Sequence, residues 1–141
     1  ARIEIKSFDI AECNLFEKKE LYLKKNEKVT RINSIGYINN SPSVITFRSI
    51  PHNRFPKFIN YFVKKQSVTK AFNLLNVKKI IRSKTLINAE ISDKIKSNLL
   101  NIDVGKPLIK TTSINVDLNK TPIELSESYF DGSKIQILVK I

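Results

Sequence analysis

The chain has no methionine, one cysteine, one histidine and three glycines, and its 13 acidic residues face 25 basic ones. Each scarcity removes a class of function. Cys13 has no partner for an intrachain disulfide and no thiolate cluster around it, so a small buried residue is its plain reading. His52 stands alone in a loop segment; without a second histidine or a cysteine cluster, neither a zinc site nor a Ser-His-Asp arrangement can be assembled, and no metal, cofactor or catalytic residue is expected. None of the glycines forms a phosphate-cradling loop, which disfavours a nucleotide-binding parallel sheet. No apolar run approaches the roughly 20 residues that cross a bilayer, and the first residues lack the apolar core of a signal peptide. A cytoplasmic location without membrane contact is therefore expected. A chain that opens at Ala1 and holds no methionine reads as a piece of a longer protein, with something preceding it.

What remains suits one folded domain, residues 1–141. Apolar residues make up 41% of it, enough to offset chain entropy. The formal charge of +12 attracts something anionic: nucleic acid, an acidic surface or a phosphorylated small molecule. The lysines come as scattered pairs (Lys18-Lys19, Lys24-Lys25, Lys64-Lys65, Lys78-Lys79) without an arginine-rich tail, so a merely solvated lysine surface explains them equally well.

Periodicity divides the chain into short elements. Asp9 to Glu20 reads as an amphipathic helix capped by Asp9, with Ile10, Cys13 and Phe16 at three-residue steps. Lys28 to Ile38 and Ser43 to Ile50 read as a hairpin turning at Asn39-Asn40-Ser41-Pro42. The loop from Pro51 to Pro56 leads into a helix bearing Phe58, Ile59, Phe62 and Val63. Ser67 caps a second helix carrying Val68, Phe72, Leu74 and Leu75. Val77 to Ala89 is strand-like, and Ser92 or Asp93 caps a short helix to about Leu100. The closing segment, Lys134 to Ile141, alternates Ile135, Ile137, Val139 and Ile141 with other residues, as a strand with one buried face does.

The last third repeats the first at an offset of about eighty residues. Val29 falls on Leu108, Arg31 on Lys110, Ser34 on Ser113, Ile35 on Ile114, Pro42 on Pro122 and Thr46 on Ser126. Each half reads as helix, strand, turn, strand. The expected fold class is α+β: an antiparallel sheet of about six strands with flanking helices, in two pseudo-symmetric halves.

The segment Asn101-Ile102-Asp103-Val104-Gly105-Lys106-Pro107-Leu108, with Asn115-Val116-Asp117 and Pro122-Ile123-Glu124-Leu125-Ser126-Glu127-Ser128-Tyr129-Phe130, resembles the end of the UTRA domain of GntR-type, HutC-branch transcription regulators. Leu21-x-Leu23, Glu27-x-Val29, Pro42, the Pro51 to Pro56 loop and Ser67-Val68 fall where that family places them. Ser113 to Asp117 and Arg82-x-x-Thr85 look closest to phosphonate-utilisation regulators of the PhnF type. The resemblance implies a chorismate-lyase-like fold that binds a small anionic effector. It also implies a homodimer, and operator DNA read by a winged helix-turn-helix domain expected outside these residues. Effector binding would favour one of two arrangements of the dimer.

By that resemblance Thr46 is a polar ligand contact, Ser67 a hydroxyl near the ligand's anionic end, Glu124 the acid of a Pro-x-Glu motif, and Phe130 a pocket aromatic. Alternation places Glu124, Ser126, Ser128 and Phe130 on one strand face, with Val44, Thr46, Arg48 and Ile50 on the matching face of the first hairpin. Arg48 and Arg82 are the candidates for pairing with phosphonate or phosphate oxygens. The same residues also suit the wet faces of two strands, and Ser67 suits a plain helix cap with an anion-attracting N-terminus beside it. Asn115 and Asp117 read as turn residues. The family's Arg-x-Arg strand pair is replaced by Ser34-x-Gly36, and Asp131 and Ser133 stand where an Arg and an Asp are usual, which weakens a generic sugar-phosphate effector. Two other functions fit the sequence. One is a chorismate-lyase-like enzyme, with Arg48 or Arg82 and Glu124 around a carboxylated substrate. The other is a stand-alone basic nucleic-acid-binding module.

Overall fold

Residues 2–141 are described by a computed structural model. Six strands form one antiparallel sheet: β1 (Arg2–Glu12), β2 (Lys28–Ile38), β3 (Ser41–Pro51), β4 (Ile81–Ile91), β5 (Pro107–Val116) and β6 (Pro122–Asp131). Four helices accompany them: α1 (Leu15–Glu20), α2 (Phe58–Lys65), α3 (Val68–Leu74) and α4 (Lys94–Leu100). The strand order is β1-β2-β3-β6-β5-β4. That order reads as two copies of strand, helix, strand, strand joined through β3 and β6, with α2 and α3 inserted between them. Thr46 faces Ser128 and Arg48 faces Ser126 across the joint. Positions one repeat apart therefore sit diagonally, as an approximate two-fold axis near Phe47 and Glu127 requires.

The hairpin between β2 and β3 turns at Asn39 and Asn40, both at positive φ (51° and 62°). Asparagine tolerates this left-handed pair, and it matches the twist of the flanking strands. Opposite faces of the sheet are covered differently. On one, α2 and α3 bury Phe58, Phe62, Ala71 and Phe72 against Ile32, Ile50 and Ile123. On the other, Leu21 beyond α1 packs with Ile114, Val116 and Leu125 of the second half, and Leu100 of α4 packs with Ile45 of the first. Each short helix thus leans on the other half's strands, which ties the repeats into one core. Among the described residues no helix is long and apolar enough to cross a membrane.

Several elements depart from the sequence reading. Asp9 is not a helix cap: it lies in β1 opposite Arg31. The helix starts at Leu15 and is capped by Asn14, whose side chain accepts from the Glu17 N–H while the Glu17 carboxylate accepts from the Asn14 N–H. The three-residue spacing of Ile10, Cys13 and Phe16 ran across a strand end and a helix start, and both Ile10 and Phe16 are exposed. The strand expected from Val77 begins only at Ile81 and runs to Ile91. Residues 135–141 pair with no strand, and Leu138 and Val139 are 79% and 71% exposed. The count of six strands holds because β1, of which only the end from Asp9 to Glu12 was read as helix and the rest left unassigned, takes the place of that closing segment.

Candidate functional site

The helix pair covers only part of its face. Over β6 and β5 the same face is bare and carries hydroxyls, so a hollow of about 340 Å³ opens between these strands and the first turn of α3. Thr46 and Arg48 come from β3, Glu124, Ser126, Ser128 and Phe130 from β6, and Thr111, Ser113 and Asn115 from β5. Arg82 of β4, Ile80, and Val68 and Thr69 of α3 close the sides.

A chain of hydrogen bonds runs along the floor. The Arg48 guanidinium donates to Glu124 Oε2 (2.9 Å) and to Ser34 Oγ (3.1 Å), and lies 5.2 Å above the Phe62 ring. Asn115 donates to Glu124 Oε1 (2.7 Å) and accepts from Arg82 Nε (2.8 Å). Arg82 Nη1 reaches Ser113 (3.0 Å) and Thr85 (3.3 Å), whose hydroxyls lie 3.1 Å apart. Thr46 and Ser128 share a hydrogen bond of 3.0 Å. Glu124 is buried, with 5% of its side chain exposed, and both its oxygens are occupied. Its charge is spent on Arg48. Arg82 is exposed and has no carboxylate partner among the described residues. One side therefore carries a cation without a carboxylate partner among the described residues, beside a row of hydroxyls, a set whose chemistry suits a small anion with polar substituents.

Six of the seven residues singled out in the sequence surround this hollow: Thr46, Arg48, Arg82, Glu124, Ser126 and Phe130. Ser67 does not line it; its hydroxyl accepts from the Lys70 N–H (3.2 Å) as the cap of α3, whose next two residues reach the edge. One reading needs correction. Asn115 does not serve the β5–β6 turn; it stands one residue inside β5 and bridges Glu124 to Arg82. Arg48 lines the hollow with Glu124 as its ion-pair partner. Asp117 does serve the turn: it accepts from the Asn119 and Thr121 N–H groups and pairs with Arg54. Burial works against its charge, but the Arg54 guanidinium and the two backbone donors outweigh burial and hold its pKa below the usual aspartate value. Ser128 lines the hollow on the face where alternation puts it, whereas Thr111 and Ser113 were missed as lining residues. The alternation that placed Ser126 on this face applies to all of them and was their only signal.

A second buried charge lies on the opposite face. Glu17 accepts from Arg31 Nε (3.0 Å) and Nη2 (2.8 Å) and from Ser49 Oγ (2.7 Å). Burial raises the pKa of this carboxyl, but Arg31, the Asn14 N–H and Ser49 together bring it below the ordinary glutamate value. The site is structural, since every acceptor direction is filled. His52 sits elsewhere, with Nδ1 3.2 Å from Thr30 Oγ1, and no cluster of metal-ligating side chains occurs among the described residues.

Comparison with known proteins adds a family. The UTRA domain profile matches residues 1–136. The probable fructoselysine utilization operon transcriptional repressor of Escherichia coli (strain K12) is 22% identical over 120 residues, covering 85% of this chain and 49% of that protein. The chain thus spans about half the length of the curated relatives it matches. The crystal structure of a GntR-family transcriptional regulator from Enterococcus faecalis V583 superposes with a TM-score of 0.86 at 18% identity, covering 99% of each chain. PhnF from Mycobacterium smegmatis superposes with a TM-score of 0.85 at 14% identity, covering 99% of this chain and 61% of that one. These likenesses establish the chorismate-lyase-like α+β fold.

Proposed function

The chain belongs to the UTRA domain family, and from that premise we propose that it is the effector-sensing part of a GntR-type transcription regulator. In this reading the hollow takes a small organic anion: a phosphonate, a phosphate ester or a carboxylate. Arg82 supplies the unpaired positive charge. Thr46 and Ser126 bind polar substituents, Phe130 covers an apolar flank, and the Arg48–Glu124 pair holds the floor in shape. The observation that carries the reading is the exposed Arg82 guanidinium, braced by Asn115 and Ser113 but lacking a carboxylate, at the mouth of a hydroxyl-lined hollow.

Regulation then follows from differential affinity. An operator-reading domain outside this chain, carried by each of two paired copies, would adopt two arrangements. The anion changes their ratio only as far as it binds one better than the other. Thermal-shift screening of organic acids, phosphonates and phosphate esters, with fructoselysine included because of the name of the Escherichia coli relative, tests the reading. A ligand at a hundred times its Kd stabilises the fold by about 2.7 kcal/mol. Such a shift, lost in Arg82→Gln, supports the proposal. A broad acidic library without any shift, or turnover of chorismate by the chain, overturns it.

A further inference from the structure

The way Arg82 is braced limits what it can hold. A guanidinium clamps an acid in two prongs only through a pair of neighbouring nitrogens, either Nε with Nη2 or Nη1 with Nη2. In Arg82, Nε donates to Asn115 Oδ1 (2.8 Å). Nη1 meets two acceptors, Ser113 Oγ (3.0 Å) and Thr85 Oγ1 (3.3 Å), one for each of its hydrogens. Each edge has therefore lost one of its two nitrogens to the protein. Nη2 alone has no partner among the described residues.

The sheet itself builds this brace. Ser83 is an extra residue in β4, between the Arg82–Asn115 and Lys84–Ile114 pairs. Strict alternation would put Arg82 on the face of Lys84, which turns away to Glu20 (3.1 Å). The bulge instead brings Arg82 and Thr85, three residues apart, to one face above Ser113. Elsewhere the hollow offers hydroxyls. Those of Thr69, Thr111 and Ser126 line it and hold no hydrogen bond within the protein among the described residues, and Thr46 and Ser128, 3.0 Å apart, each keep a further acceptor site. Charge gives an independent restriction. Arg48 and Glu124 neutralise each other, which leaves Arg82 to face the ligand. A carboxylate brings about one negative charge, whereas a phosphate ester brings roughly 1.5 to 2, and the surplus would stand close to Glu124.

We infer that the hollow takes a polyhydroxylated monocarboxylate and discriminates against phosphate esters and phosphonates. One carboxylate oxygen meets Arg82 Nη2, and hydroxyls along the ligand's carbon chain answer Thr69, Thr111 and Ser126. Phe130, Val68 and Ile80 pack against its C–H groups. The inference rests on the reading of the hollow as the effector site and narrows its three acid classes to one.

Calorimetry at about 150 mM salt, where attraction by the net charge of the chain is largely screened, tests the inference with probes of equal carbon-chain length. D-gluconate, D-galactonate and D-mannonate carry the carboxylate and the hydroxyls. Sorbitol 6-phosphate keeps the hydroxyls and changes the acid; hexanoate keeps the acid and lacks the hydroxyls. The best of the three sugar acids should bind at least about tenfold more tightly than either. Thr85→Val combined with Ser113→Ala releases Nη1 and opens a two-pronged edge. In that variant the preference for the sugar acid over sorbitol 6-phosphate should fall by about tenfold. Sorbitol 6-phosphate or hexanoate matching the sugar acid in the parent chain, or a preference unmoved in a variant that still melts cooperatively, overturns the inference and leaves the effector site standing. Silence from all five probes also overturns it, and the site reading falls with it only when the wider acid screen is silent too.

Discussion

Glu124 and Arg82 lie on one hydrogen-bonded chain but do different work. Glu124 is buried against Arg48, whose side chain is 14% exposed, so removing the carboxylate leaves a guanidinium with little water and no counter-charge. Glu124→Ala is expected to lower the unfolding free energy by about 3 kcal/mol, measured by denaturant titration. Arg82 is exposed at the mouth, so Arg82→Ala should cost less than about 1 kcal/mol in the same titration. On the proposed function it should weaken the anion by roughly 10- to 100-fold, the loss of a charge-assisted hydrogen bond, read by calorimetry. Glu17 gives a pH signature. Its folded pKa lies below the ordinary value, so its contribution is complete above the unfolded pKa of about 4.3 and is lost as the pH falls through the lower folded value. Thermal melts should therefore show Glu17→Gln less stable than the parent at pH 6, with the gap closing progressively below about pH 4.

At the scale of elements, α3 separates a cap from a ligand contact. Ser67 accepts from the Lys70 N–H and does not line the hollow. Ser67→Ala should thus cost about 1 kcal/mol of stability while leaving ligand affinity unchanged. An affinity loss without a stability loss would restore the ligand role that family resemblance assigns to it. The helix pair itself is held by aromatic packing: Phe72 is fully buried, with ring centroids 4.7 Å from Phe58 and 5.2 Å from Phe55. Phe72→Ala should destabilise by about 3–5 kcal/mol and, by loosening α3 over the hollow, weaken ligand binding as well. The hairpin at Asn39-Asn40 was legible because its turn chemistry is local. The boundary between β1 and α1 was not, because Ile10 and Phe16 mimic a helical stripe and only the pairing of β1 with β2 decides between strand and helix.

For the whole molecule, the net charge of +12 acts on stability and on binding with opposite sign. Added salt screens the repulsion among surface lysines, so the melting temperature of the ligand-free chain should rise between about 20 and 150 mM salt. Affinity for an anionic ligand should fall over the same range, and two thermal-shift series distinguish the effects. The local pattern of residues determined that the chain repeats itself about eighty residues on, that it alternates into strands of an α+β domain, and that Glu124, Ser126, Phe130, Thr46 and Arg48 share strand faces. Periodicity is enough for this, since side chains two residues apart on a strand point the same way. Only the tertiary structure decided which strands become neighbours, and three outcomes depend on it. Asn115 joins Glu124 to Arg82 because β5 folds between β6 and β4. Arg48 loses its free charge because Glu124 comes to lie 2.9 Å away. Residues 135–141 form no strand because a strand needs an edge to pair with, and the edges belong to the fold as a whole rather than to any segment.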